Sequence, residues 1–301
     1  MKSKSVGCHI GNHFVGAIGY ADDLVLLCPS AKGLNIMING AAKFAQEFSL
    51  MFNSKKSFGI KFSKNRTLYQ GKDILIDNNV LQWKLSVKYL GTILTNNLEN
   101  SHDIMDKCGA FNNSVNGIIS RFKNTTKHVK AKLISKYSYS FYGGQNWDLS
   151  DENIRPITIQ WNKMVRRVYM LPYRCHTNIL PIVIGHKSPQ VMLAQRFLNH
   201  MKNMLLSSNP IIYYVAACAD KYKQGQLGKN LKNVYFKYFA ESNLECDLNI
   251  LSKSKHLIKD DVNASLGNFV CELVDIRDSA LLLENFSTDE VNELLEYVTC
   301  A

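Results

Sequence analysis

The chain has 301 residues, 46% hydrophobic and 20% charged, with 17 glycines and 6 prolines; this excludes disordered, collagen-like and low-complexity architectures and predicts a packed chain of about two domains. Lys and Arg number 36 against 25 Asp and Glu, a net charge of +11. The excess is concentrated in residues 1–270, which hold 35 bases and 17 acids, and it points to a polyanionic partner, nucleic acid first among them.

In chain order, Phe14 to Tyr20 is small and apolar, Ala21-Asp22-Asp23 is a tight acidic turn, and Leu24 to Cys28 is apolar again. Two short apolar runs around a turn predict a β-hairpin. Ser30 is a helix N-cap, and Leu34, Met37, Ile38, Ala41, Ala45 and Phe48 recur at helical spacing behind it. Ser57 to Phe62 reads as a short strand. Asp73 to Trp83 reads as a hairpin around Asp77-Asn78-Asn79, and Val87 to Leu94 as a further strand.

From about residue 99 the periodicity becomes helical. One helix is marked by Ile104, Cys108, Phe111, Val115, Ile118 and Phe122. A second, capped by Thr125 or Thr126, is marked by Val129, Leu133, Tyr137 and Phe141, and a third by Ile154, Ile157, Trp161, Val165 and Val168. Further helices are predicted over 190–206, 210–223 and 230–241. The acidic tail, with eight acids and one base from Cys271 onward, predicts one more from Thr288 to Val298.

Eight cysteines are scattered without a C-x-x-C pair or a histidine at metal spacing, which argues against a zinc finger. The basic start Met-Lys-Ser-Lys-Ser is followed by no apolar signal core, and the longest apolar run, Ile211 to Ala219, is far short of a bilayer span. The expectation is an intracellular protein, nuclear or cytoplasmic, with free thiols and no membrane partner.

The chemistry is carried by Asp22 and Asp23. Adjacent carboxylates on a rigid turn repel one another, a cost that a nearby cation offsets. Hard ions such as Mg²⁺ take carboxylate oxygens and keep water and phosphate oxygens as their other ligands. Asp-Asp also occurs in plain solvated turns, so the context decides.

That context, Phe-Val-Gly-Ala-Ile-Gly-Tyr-Ala-Asp-Asp-Leu-Val-Leu-Leu before a capped helix, resembles the reverse transcriptases of non-LTR (LINE-type) retrotransposons. Tyr20-Ala21-Asp22-Asp23 is similar to palm motif C. Asn53-Ser54-Lys55-Lys56-Ser57 resembles motif D, and Lys88-Tyr89-Leu90-Gly91 motif E, the primer grip. Trp161 to Arg167, then Leu171-Pro172, Thr177 and Leu180, resemble the helical region after the thumb. The resemblance spans about residues 8–190.

It implies an RNA-directed DNA polymerase using two Mg²⁺ (or Mn²⁺) ions. Asp22 and Asp23 are then the metal-binding and catalytic carboxylates, and Lys56 is a catalytic lysine near the nucleotide phosphates. Tyr20 lies under the primer–template backbone, and Tyr89, Leu90 and Gly91 lie at the primer end. The implied partners are an RNA template and a DNA primer. The family also needs a motif A aspartate, fingers and motif B, all upstream of motif C, and only 19 residues precede Tyr20 here. The expectation is a C-terminal fragment without activity of its own, together with a polypeptide that supplies the missing strand.

From Arg121 to Lys136 there are six bases and no acid. Arg121, Lys123, Lys127, Lys130 and Lys132 are the expected phosphate contacts of a helical thumb; Arg166 and Arg167 are weaker candidates. Tyr137, Tyr139, Phe141 and Tyr142 suggest base stacking or, as the better fit, core packing, with Tyr137 and Phe141 on the apolar face. The expected fold is α+β: a partial palm of antiparallel sheet plus helix over residues 1–98, a helical thumb over 99–150, and a helical domain with an acidic tail over 151–301. The rival reading is a non-catalytic nucleic-acid-binding protein that uses the basic helices alone. A third is a helical interaction module whose acidic tail masks its own basic face.

Overall fold

The computed structural model describes residues 6–64, 67–69, 73–76, 79–242 and 244–259. The chain divides into two compact units, one of residues 1–100 with 207–215 and one of residues 101–206 with 216–301. The class is mixed α+β, as expected: small ladders fill the first hundred residues and helices follow. The acidic-tail helix over Thr288–Val298 and the turn residues Asp77 and Asn78 lie outside the described residues.

In the first unit, β1 (His9–Ile10) pairs with β2 (His13–Phe14), a hairpin the sequence reading missed. β3 (Ala17–Tyr20) pairs antiparallel with β4 (Asp23–Leu26) in the register Ala17 to Leu26, Ile18 to Val25, Gly19 to Leu24 and Tyr20 to Asp23. α1 (Ala31–Glu47) starts where predicted, with Ser30 Oγ accepting from the Gly33 amide at 3.1 Å. It buries Met37, Ile38, Ala41 and Ala45. Phe48, expected on that face, is 61% exposed against Phe44, because the backbone leaves helical geometry at this residue and the phase no longer applies.

The strand expected over 57–62 shrinks to β5 (Phe58–Gly59). The hairpin expected over 73–83 is formed by β6 (Leu75–Ile76) and β7 (Asn79–Val80), after which β8 (Gln82–Trp83) pairs parallel with β5. Gly59 is required there, since a Cβ would come within 2.8 Å of the Trp83 ring. The single strand expected over Val87–Leu94 is two strands, β9 (Ser86–Tyr89) and β10 (Thr92–Thr95), closed by Leu90 at φ 44° and Gly91 at φ 79°. Two consecutive positive φ values make the two-residue turn that matches strand twist. Among the described residues the expected antiparallel sheet is thus five two-stranded ladders, one of them parallel. The core is small, with Ile38, Ile74 and Leu81 at its centre. Residues 207–215 belong to this unit, and Tyr214 places its ring 6.4 Å from that of His13.

The second unit is helical: α2 (Ser101–Arg121), α3 (Lys127–Tyr137), α4 (Asp151–Tyr169), α5 (Leu180–Ile184), α6 (Pro189–Leu205), the later part of α7 (Pro210–Tyr222), α8 (Gly225–Tyr238) and α9 (Leu248–Lys253). α2 buries Ile104, Cys108, Phe111 and Val115, and α4 buries Ile154, Ile157, Trp161, Val165 and Val168, as their periodicity predicts. These residues share one core with Ile134 of α3 and Leu193 of α6, so the boundary expected at residue 150 falls within continuous packing. A second core joins Phe197, Leu198 and Met201 of α6 to Leu231 of α8 and Leu251 of α9. The described cysteines are free thiols, and burial pushes Cys108 up to about 11. Among the described residues no helix is long and apolar enough to cross a membrane.

A polar seam crosses the second unit. The Asp103 carboxylate, fully buried, accepts from Trp147 Nε1 at 2.7 Å and has Lys107 Nζ at 3.9 Å. The Trp147 carbonyl accepts from Asn230 Nδ2 at 2.6 Å, and Asn230 Oδ1 accepts from the Leu149 amide at 3.0 Å. Removing the carboxylate leaves a buried indole N–H without its acceptor, a loss of about 2–3 kcal/mol. Asp103→Ala should lower the urea-unfolding free energy by that amount; a change inside measurement error would show that the seam carries no stability.

Candidate functional site

The acidic turn is closed by Tyr20 and Asp23, so Ala21 and Asp22 form its two-residue loop. Ala21 sits at φ 48°, a left-handed conformation that costs a residue with a Cβ about 1–2 kcal/mol. Asp22 and Asp23 are both exposed, Tyr20 is 63% exposed, and Ile18 and Leu24 present apolar side chains to solvent nearby. Neither carboxylate has a cation partner among the described residues, and no group of three or more His, Cys, Asp or Glu is gathered there or elsewhere among them. The donor set fits one hard divalent ion in part: two carboxylates supply oxygen ligands, and the other positions remain for water and phosphate oxygens. The described residues alone do not complete a two-ion clamp.

Lys56 is presented by a separate device. Asn53 Oδ1 accepts from the amides of Lys55 at 3.1 Å and Lys56 at 3.2 Å, and its carbonyl accepts from the Lys56 and Ser57 amides at 3.0 Å. This Asx turn leaves both lysine side chains exposed. The Leu90–Gly91 turn forms the exposed tip of the β9–β10 hairpin, with Tyr89 half-buried behind it. The two hairpins that carry Asp22/Asp23 and Tyr89/Leu90/Gly91 are separate ladders, not neighbours in one sheet.

The basic segment is built from α2 and α3. Arg121 ends α2, where the helix dipole favours a cation. α3 begins with Thr126 Oγ1 accepting from the Val129 amide. It carries Lys127, His128 and Lys130 in its first turns, the end at which positive charge is least welcome. These three therefore do not serve the helix dipole, whereas Lys136 in the last turn does. Arg121, Lys123, Lys132 and Lys136 are exposed, and Lys127 is half-buried. Lys130 is also half-buried and donates to the Lys123 carbonyl at 2.9 Å, bracing the link between α2 and α3. Arg166 and Arg167 act structurally: Arg166 Nη2 donates to the Cys175 carbonyl at 2.7 Å and Arg167 Nη1 to Asn116 Oδ1 at 2.6 Å.

The outward face of α3 is a correction to the sequence reading. Val129, Leu133 and Tyr137 were expected to be buried, yet Val129 is 44% and Tyr137 64% exposed, Leu133 is half-buried, and the core side is Ala131 and Ile134. Lys132 and Lys136 share the stripe of Val129, Leu133 and Tyr137 in helical phase, so burying it would have buried two ammonium groups. That interleaving is the signal the sequence offered. Tyr139 and Phe141 are the core aromatics; Tyr139 lies against Phe111, and its hydroxyl is bonded by Trp161 Nε1.

Lys130 and Lys132 of α3 make separable predictions. Lys130→Ala should destabilise the fold by about 1 kcal/mol through loss of its carbonyl bond, whereas Lys132→Ala should leave the melting temperature unchanged. Thermal unfolding of both variants checks this, and equal losses would contradict the assignment. No protein-family model and no curated protein matches this sequence.

Proposed function

We propose that the chain is part of an RNA-directed DNA polymerase of the retroelement type, and that it grips a template–primer duplex through the cations of α2 and α3. The observation that carries this reading is the acidic hairpin: adjacent exposed carboxylates on a strained two-residue turn between apolar strands, in the Tyr-Ala-Asp-Asp pattern. The Asx turn that exposes Lys56 and the β9–β10 hairpin tipped by Leu90 and Gly91 follow in the order that the resemblance requires.

In this reading Mg²⁺ supplies, when bound, the charge neutralisation that in-line nucleotidyl transfer needs. Asp22 and Asp23 offer it oxygen ligands. Lys56 faces the nucleotide phosphates, Tyr20 lies under the primer–template backbone, and Tyr89, Leu90 and Gly91 hold the primer end. Arg121, Lys123 and Lys132, with Lys127 and Lys130 behind them, meet phosphates without reading sequence.

A second reading, nucleic-acid binding without catalysis, is favoured by one observation: Lys132 and Lys136 of α3 stand exposed whatever the hairpin does. The two readings separate on metal dependence. The chain should bind RNA/DNA duplex with affinity that falls steeply as salt rises, and Asp22→Asn with Asp23→Asn should abolish Mn²⁺ binding measured by electron paramagnetic resonance. Duplex binding with no Mn²⁺ site leaves the non-catalytic reading standing. Template-directed extension by residues 1–301 alone, lost in Asp22→Ala, would overturn the reading that further carboxylates are needed.

A further inference from the structure

The outer face of α3 combines features that a duplex grip does not use. Tyr137 is 64% exposed although it ends a helix whose core side, Ala131 and Ile134, is well buried. The ring makes no ring–ring contact among the described residues, and Lys136 Nζ lies 5.8 Å from its centroid, within reach of a cation–π attraction. Val129 and Leu133 lie on the same face at spacings of eight and four residues, so the apolar line runs ~12 Å along the helix. Lys132 and Lys136, both exposed, flank that line, and from Arg121 to Lys136 the sequence holds no acid.

A base inside a duplex hides both of its faces in the stack, so an exposed phenol ring beside a duplex meets only sugar and phosphate. An unpaired base offers a free π-face, and aromatic rings beside lysines are how proteins hold single strands without sequence preference. We propose that Tyr137 is a stacking platform for an unpaired base whose flanking phosphates are held by Lys132 and Lys136, so that the chain binds single-stranded RNA or DNA more tightly than blunt duplex. The inference rests on the nucleic-acid reading above and adds to it a strand preference and the residue that sets it.

The test is fluorescence anisotropy on the full chain with a labelled RNA single strand and a blunt RNA/DNA duplex of equal length. Tyr137→Ala should weaken single-strand binding by about tenfold or more and leave duplex binding and the melting temperature unchanged, while Tyr137→Phe keeps the wild-type affinity. Lys132→Gln with Lys136→Gln should weaken both ligands and flatten the salt dependence by about two phosphate contacts. If Tyr137→Ala lowers both affinities equally, or neither, the stacking role is overturned while the duplex-binding reading survives. If the wild-type chain binds neither ligand at low salt, both fall, and the stripe is a surface for another protein.

Discussion

A carboxylate taken wholly out of water must find donors in the protein or destabilise it, and in the second unit Asp103 finds the Trp147 indole. The consequences spread from that pair. Trp147 is fixed from its other side by Asn230, which also holds the Leu149 amide, so α2, the segment between α3 and α4, and α8 share one register. The apolar cores on either side of the seam, around Trp161 and around Phe197, supply bulk attraction but no such direction. Arg121 ends, and Lys123 follows, the helix whose first turn holds this aspartate, so the placement of the cationic surface depends on the seam being satisfied.

The candidate sites share a way of accepting local cost. Ala21 and Leu90 both hold positive φ in two-residue hairpin turns, and Lys127, His128 and Lys130 crowd the positive end of a helix dipole. A fold selected for stability alone would put glycine or asparagine in the first places and acids in the second. In the proposed polymerase reading both costs are offset by ligands, a divalent ion at the acidic turn and phosphates along α3. The contrast with Arg166 is instructive. Its guanidinium is turned inward to the Cys175 carbonyl, and it holds the chain beyond α4 instead of facing outward. Among the described basic residues, Arg166 and Lys130 thus close the fold, while Lys132 and Lys136 stand exposed.

Much of this was legible in the sequence. The Ser30 cap, the acidic hairpin and the buried stripes of α2 and α4 follow from local rules, because capping and periodicity are decided within a turn or two. The parallel pairing of β5 with β8 was not legible, since it joins segments some twenty residues apart through a close approach that Gly59 permits and no local signal announces. Val87–Leu94 read as one strand because Leu90 gives no hint of a positive φ. The α3 face was misassigned for another reason: its apolar residues recur at helical spacing on the solvent side, while the core side is made of a small alanine and a single isoleucine. At the candidate site the sequence could not tell that Lys130 is occupied with a backbone carbonyl or that Tyr137 is exposed.

The first unit is made from two passages of chain, and that governs how the protein can be dissected. A recombinant piece ending at residue 100 lacks residues 207–215, so the edge where His13 and Gly11 approach Tyr214 is stripped of its neighbour. The complementary piece inherits an α7 whose first turns have lost the unit they belong to. Expressing the halves separately therefore gives two damaged bodies, and a faithful excision of the first unit has to splice the returning segment back on through a linker.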